Sequence, residues 1–215
     1  MSDQGPLVPI SDEQAKAIQV AFKAAQEAIK TLQGVGGFLR EAFGTAPEDI
    51  VAVLGGNWLK VRRAENLIVT LHKMQERLKK RGINPEQVSL SRALPILIAA
   101  ADESIDELQE LWARLLAAAA DPKRTKSFRI AFIDIAKKMD PLDALVLEQA
   151  GATNQVIIGT IRNDLADRLN LSRDQIDVSL SHLIELNLMW GRTVEQTPDA
   201  TISPLGREFL KAVAD

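Results

Sequence analysis

The stretch from Leu94 to Pro122, LPILIAAADESIDELQELWARLLAAAADP, limits what this chain can fold into more than any other. Ile105, Leu108, Leu111, Trp112, Leu115, Leu116 and Ala119 recur at steps of three and one, which places them on a single stripe of an α-helix. Asp106, Glu107, Gln109, Glu110 and Arg114 fall between them and face away. Asp121 followed by Pro122 stops this helix at about Ala120. The pattern specifies a packing element and carries no catalytic chemistry of its own.

Helix signals run along the rest of the chain. Residues 1–10 hold two prolines and no periodicity, and read as a flexible lead-in. Ser11 with Gln14 forms a capping box for a first helix, whose apolar face is Ile18, Ala21, Phe22, Ala25, Ile29 and Leu32. The GVGG run from Gly34 ends that helix and reads as a hinge, with FLREAFG as a short turn after it. Thr45, Pro47 and Glu48 open a long helix to Arg81, interrupted or closely packed at Gly55 and Gly56 and closed by Gly82. Its basic last turns, with Lys73, Arg77, Lys79, Lys80 and Arg81, suit the negative end of a helix dipole. A further helix over Ile130 to Met139 completes an all-α bundle at 11–139.

Asp140 and Pro141, as cap and first helical residue, begin a second unit at 140–215. LDALVLEQA reads as a helix, VIIGTI as a buried strand, and RNDLADRLN as a helix ending at Asn170. Ser172 with Gln175 caps the next helix, MWGRTVEQTPDATIS forms a β-ribbon turning at Thr197, Pro198 and Asp199, and Ser203 with Pro204 caps the last helix. The fold class expected is mostly α: an N-terminal helical bundle followed by a small domain of helices plus a β-ribbon. Trp58, Trp112 and Trp190 are expected as core or ribbon anchors.

Composition narrows the chemistry. The chain has no Cys, which excludes disulfides, thiolate metal sites and Cys nucleophiles, and fits a reducing, cytoplasmic setting. The opening residues lack the pattern of a signal peptide, and the longest apolar runs are about half the roughly 20 residues of a transmembrane helix. Twenty-six Lys and Arg against 29 Asp and Glu give a net charge of −3, so no global field draws the chain onto nucleic acid or anionic membrane.

The carboxylates Asp102, Glu103, Asp106, Glu107 and Glu110 are the densest acidic group, and some share a helix face. A di-metal site would add imidazole, yet the two histidines, His72 and His182, stand in no Glu-x-x-His arrangement. The reading taken is therefore no metal and no cofactor, with Arg62 or Arg63 reaching Glu103 or Glu107 as structural ion pairs. A metal-dependent nuclease or hydrolase using residues 102–110 is the rival from the enzyme class. Neither a GxSxG nucleophile nor a phosphate loop is present.

The segment LADRLNLSRDQIDVSLSHLIELNLM, followed by the ribbon, resembles a winged helix-turn-helix, with Asn170 and Asn187 where many relatives carry Gly. That resemblance invites a DNA-binding regulator, with Arg173 at the start of the recognition helix; a second basic patch, Lys123, Arg124, Lys126 and Arg129, reads first as a solvated loop after a helix end and second as a nucleic-acid contact. Across 162–215, however, six cations face nine acids, a local balance of −3 that disfavours a duplex. NWLKVRRAENLIVTLHKMQERLKKRGI, ADESIDELQELWARLLAAAADP and RIAFIDIAKKMDPLDALVL together resemble the abortive-infection alpha family of helical bacterial proteins. The resemblance implies a role in defence against bacteriophage and transfers no catalytic residue. The expectation is a non-enzymatic component working through a protein partner or self-association. The hinge would free the first helix for a partner or a membrane surface.

Overall fold

The computed structural model describes residues 12–55, 59–153, 159–194 and 197–214. Among them the helices are α1 (Asp12–Gln33), α2 (Gly36–Phe43), α3 (Pro47–Val53), α4 (Leu59–Lys80), α5 (Leu90–Asp102), α6 (Asp106–Ala120), α7 (Ala131–Ala136), α8 (Pro141–Thr153), α9 (Gly159–Leu169), α10 (Arg173–Glu185) and α11 (Pro204–Val213). One antiparallel ribbon, β1 (Met189–Val194) with β2 (Thr197–Ile202), pairs from Met189 opposite Ile202 to Val194 opposite Thr197. No helix among the described residues is long and apolar enough to cross a membrane.

Helix α6 is the axis of the core. Leu108, Leu111, Trp112, Leu115, Leu116 and Ala119 are buried as their spacing requires, and Ala113, Ala117, Ala118 and Ala120 are buried as well. The small Ala side chains let neighbours approach from several sides: α4 and α5 from the N-terminal half, α8 and α11 from the C-terminal part. Ile105 departs from the expected stripe. It is the residue before α6, 42% exposed, because the chain leaves the helix after Asp102 and restarts at Asp106. A Glu103 carboxylate oxygen accepts from the Ile105 amide at 2.8 Å and stabilises that break.

Several boundaries differ from the expected ones. The long helix starting near Thr45 is two helices, α3 and α4, with Gly55 at φ +58 between them. Its cap is Ala46, whose amide donates to Asp49 Oδ2 at 3.1 Å. FLREAFG forms α2 rather than a loose turn, and Gly44 closes it in the left-handed conformation. Gly36 and Gly37 open α2, and a Cβ on Gly36 would lie 3.2 Å from Pro47 Cγ, so that glycine permits close packing. Gly82 caps α4 at φ +62 as its position predicts.

Along α1 the buried residues are Ala24, Ala28 and Leu32, which pack towards α3 and α4. Ile18 and Phe22, expected on the inward face, are 58% and 64% exposed because no element among the described residues covers the first turns. The capping box expected at Ser11 lies outside the described residues, as do residues 1–10, Gly56 and Trp58.

In the C-terminal part, Gly159 to Ile161 belong to α9, so the strand expected over VIIGTI is not present there; its remaining residues, through 158, lie outside the described ones. Asn170 (φ 53) and Asn187 (φ 59) take the left-handed conformation at the ends of α9 and α10. The Ser172 hydroxyl accepts from the Gln175 amide and Gln175 reciprocates to the Ser172 amide, closing the expected box. Thr197, Pro198 and Asp199 belong to β2 rather than to the turn, since Val194 already faces Thr197. Trp112 is buried, but Trp190 on β1 is 57% exposed and anchors no core.

The core crosses residue 140 without interruption. Phe132 of α7 meets Phe209 of α11 edge to face at 5.5 Å. Arg124, after α6, donates to the carbonyl oxygens of Lys211 and Ala214 at 3.3 and 2.8 Å.

Candidate functional site

Among the described residues, three groupings of polar side chains and a groove among α6, α8 and α11 offer more than packing. The first is the seam where α4 meets α5 and α6. Lys73, Arg77 and Arg81 recur every four residues and so share one face of α4. They meet the acidic edge that follows α5: Lys73 Nζ lies 2.6 Å from Asp106 Oδ1, Arg77 pairs with Glu110, and Arg81 lies 3.3 Å from Asp121. Arg114 lies 3.5 Å from Glu110 and 3.2 Å from Glu148 on α8. The basic run at the end of α4 therefore neutralises the acidic run rather than only answering its own helix dipole. Burial, then the nearby Arg114, hold the Arg77 guanidinium below the usual arginine range; Glu148 opposes this and Arg81 adds to it.

The expected pairs of Arg62 or Arg63 with Glu103 or Glu107 are replaced by neighbouring ones. Arg63 Nε lies 2.5 Å from Asp102 Oδ1 and also donates to the Leu54 carbonyl, tying the end of α3 to the end of α5. Arg62 pairs with Glu65 within its own helix at 3.2 Å. Glu103 turns to cap Ile105, and Glu107 stands exposed. Helices α4 and α5 do pack on each other, but Asp102 is the last residue that α5 presents to α4. Because Glu110 meets Lys73, Arg77 and Arg114, Glu110→Gln is expected to destabilise the fold by about 1–2 kcal/mol in urea denaturation, more than an isolated surface pair would.

The residues expected to touch nucleic acid separate into two kinds. Lys123 and Lys126 are exposed in the loop after α6, and Arg173 is exposed at the first turn of α10. Arg124 is turned inward, bound to the end of α11 and 3.7 Å from Asp121. Burial, then Arg81, lower its pKa, against the pull of Asp121. Elsewhere in this region Arg162 lies 2.9 Å from Asp177, and Arg168 lies 3.6 Å from Asp164.

The third grouping joins α8 to α10 and was not anticipated. Asp143 is 1% exposed. Its Oδ1 accepts from Ser179 Oγ at 2.8 Å, and its Oδ2 accepts from the Asp140 amide at 2.8 Å. His182 Nδ1 lies 2.6 Å from the same Oδ2, which orients Nε2 outward. Ser179 donates to the carboxylate, not to the imidazole, so it is not set up as a nucleophile. Asp140, Asp143 and His182 place potential ligand atoms within 4.8 Å of one another. The Asp143 oxygens, however, already accept three donors, which suits an interhelical clamp. The signal in the sequence was the acid three residues after Asp140, a capping pattern; nothing local linked it to His182, 39 residues on.

The groove lies among α6, α8 and α11 and encloses about 680 Å³. Leu111, Leu145, Leu147, Ala152, Leu210 and Val213 give it an apolar lining. Asp106, Glu107 and Glu110 stand along the α6 wall, and Lys211 stands on the α11 wall, 2.8 Å from Glu208. That hydrogen bond, with the lysine charge, lowers the Glu208 pKa. A volume of this size is within the roughly 300–1,000 Å³ typical of ligand and side-chain pockets. Gly151 shapes the groove, since a Cβ there would lie 2.7 Å from Leu210 Cδ1.

A family model described as abortive infection alpha matches residues 63–213, which span α4 through α11. No curated protein and no solved structure matches the chain.

Proposed function

Since this chain belongs to the abortive infection alpha family, we propose that it is a cytoplasmic, non-enzymatic component of phage defence that works through protein contacts. The observation that carries the contact reading is the apolar stripe of α1, where Ile18 and Phe22 are more than half exposed. Apolar side chains grouped in this way on a folded surface are typical of interaction sites. The carboxylates of α5 and α6 support it from the other side. Asp102, Asp106 and Glu110 are committed to cations of α4, as expected of groups that hold helices in register.

We read residues 140–215 as a winged-helix unit used for protein contact. Its support is the order α9, Asn170 turn, α10, ribbon and α11, together with the capping box at Ser172 and the side-chain cap at Ser203. DNA binding is the rival reading, favoured by Arg173 at the first turn of α10 and opposed by the acidic balance around it. Gel shifts at low and moderate salt separate the two, because phosphate contacts weaken steeply with salt. The metal-dependent hydrolase reading would now rest on Asp140, Asp143 and His182. Calorimetry with Mn²⁺ and Zn²⁺ that gives no binding heat excludes it.

The test of the defence role is infection of cells with and without the chain. The expected outcome is lower phage yield with premature loss of infected cells; equal yield and equal survival across a phage panel would overturn the proposal. Hydrogen exchange tests the freedom of α1. Residues 12–22 are expected to exchange faster than 106–120, since the former are mostly exposed and the latter mostly buried. Equal protection would show α1 held along its whole length.

A further inference from the structure

Between α6 and α8 the charge of the chain reverses. Residues 122–139 hold six cations, Lys123, Arg124, Lys126, Arg129, Lys137 and Lys138, against the single acid Asp134, in a chain whose net charge is −3. Arg124 is taken up by the end of α11 and by Asp121. The other five are exposed, and none of their side chains has a direct ion pair among the described residues. The cations of α4 differ in this respect, since Arg63, Lys73, Arg77 and Arg81 each meet a carboxylate from elsewhere in the chain.

Local structure turns the unpaired cations outward. Phe132, Ile133, Ile135 and Ala136 of α7 are buried, so helical spacing leaves Ile130, Asp134, Lys137 and Lys138 on the opposite side. Lys123 and Lys126 stand in the turns before α7, on either side of Arg124, which ties that loop to the last turn of α11. Arg129 adjoins the same helix. The Lys211 hydrogen bond and charge lower the Glu208 pKa, burial opposes them, and Arg129 and Arg207 add to the lowering. The acids bordering this surface are Glu86, Asp134, Asp140 and Glu208, of which Glu208 is already held by Lys211. The cations remain in excess.

Among these charges Ile130 is 58% exposed, beside Arg129 in sequence and about two turns from Lys137. An aliphatic side chain held out among cations gains nothing from phosphates in water. At a bilayer interface it is accommodated, while Lys and Arg meet the headgroups. Nucleic acid fits this surface less well. Both rings of the segment, Phe128 and Phe132, are buried, so no aromatic platform is offered to bases. Helix α7, with six residues, is short for a reader of the major groove.

We infer that the α6–α7 loop and α7 form a docking surface for an anionic lipid bilayer, with the five unpaired cations against headgroups and Ile130 in the interface. The contact is peripheral and reversible, because it rests on charge and one apolar side chain. It stands whether or not α1 meets a partner protein.

Co-sedimentation of the full chain with vesicles tests it, using phosphatidylcholine alone and phosphatidylcholine with an equal share of phosphatidylglycerol. The native chain is expected to pellet with the mixed vesicles and not with the neutral ones, and to be released as salt rises. Each cation at such a surface is worth about fivefold in affinity, so Lys123→Gln with Lys126→Gln is expected to bind roughly 25-fold more weakly. Lys137→Gln with Lys138→Gln should match it. Ile130→Ser keeps every charge and is expected to weaken binding several-fold at each salt concentration. Lys16→Gln with Lys23→Gln removes the same charge from exposed positions of α1 and is expected to bind as the native chain does. Circular dichroism checks that each variant is folded.

Absence of binding to the mixed vesicles at low salt, or equal weakening by the α1 double variant, would overturn the inference. Native-like binding by Ile130→Ser would overturn the seating of that side chain. Should vesicle binding be absent while the loop variant loses a gel shift with short duplex DNA, the surface belongs to nucleic-acid phosphates and the bilayer is the wrong partner.

Discussion

Replacing Asp143 by alanine is expected to cost about 3–5 kcal/mol of folding free energy, the range for removing one partner of a buried charged pair. The carboxylate is 1% exposed and is the acceptor for the Asp140 amide, the Ser179 hydroxyl and the His182 imidazole. Truncation strands all three donors, of which Ser179 is itself buried. Ser179 left without a partner costs about 1–3 kcal/mol, and the part-buried Asp140 amide and His182 imidazole add smaller losses. Ser179→Ala removes one donor and is expected to cost about 1 kcal/mol. Urea denaturation of Asp143→Ala, Ser179→Ala and the double variant measures the coupling. The double variant is expected to be less destabilised than the two losses added, because removing Asp143 already forfeits the Ser179 bond. Additive losses would show that the two side chains do not depend on one another.

Gly206→Ala is expected to cost about 3 kcal/mol or more, through backbone collision rather than lost burial. A Cβ at this position would lie 2.0 Å from the Leu188 carbonyl oxygen and 2.9 Å from Ile202 Cγ2. The oxygen belongs to the backbone and accepts from the Ser203 amide at 3.0 Å, so it has no side chain to swing aside. The Gly206 amide in turn donates to Ser203 Oγ, which caps α11, and Ser203 Oγ donates to the Asn187 carbonyl at 2.6 Å. Moving α11 away to make room would break these bonds together and open the packing of Phe209 on Phe132. Gly37→Ala, where an added Cβ meets nothing within 4 Å, is the matched control and is expected to be near neutral or slightly stabilising. Equal effects at the two glycines would contradict the account of how α11 is seated.

What the chain discloses before folding follows the range over which each interaction acts. The α6 stripe from Leu108 onward, the Gly82 cap and the Ser172 and Ser203 caps are set by residues within a turn of one another and are found as their spacing implies, although Gln109, expected to face away, is buried as well. The two positive-φ asparagines are equally local. Breaks inside apolar patterns were harder to read. Ile105 keeps the period of Leu108, yet a glutamate cap ends one helix and starts the next beside it. The opposite failure occurs at Ile18 and Phe22, where the period continues although no element among the described residues covers it. Periodicity records which face is apolar, not whether anything arrives to bury it. Long-range polar pairing was visible only in outline. The basic face of α4 and the acidic edge of α5 and α6 could be matched by sign, but the register that gives Arg63 to Asp102 depends on where α5 ends. The Asp143 and His182 contact joins residues 39 apart and had no local sign beyond a capping acid.

The function we propose is defence by contact through α1, with the buried polar clusters holding the helices in place. The proposed roles of Phe22 and His182 differ most sharply in an infected cell. Phe22→Glu alters an exposed side chain and leaves the core intact. His182→Gln removes the imidazole while keeping an amide that can still donate to Asp143, so it abolishes proton transfer or metal ligation at that position with modest structural cost. The decisive measurement is phage plating efficiency on cells producing the native chain, Phe22→Glu or His182→Gln at matched levels of folded protein. The account predicts that plating on Phe22→Glu cells rises to that of cells lacking the chain, while His182→Gln protects as the native chain does. Full protection by Phe22→Glu together with loss of protection by His182→Gln would contradict it.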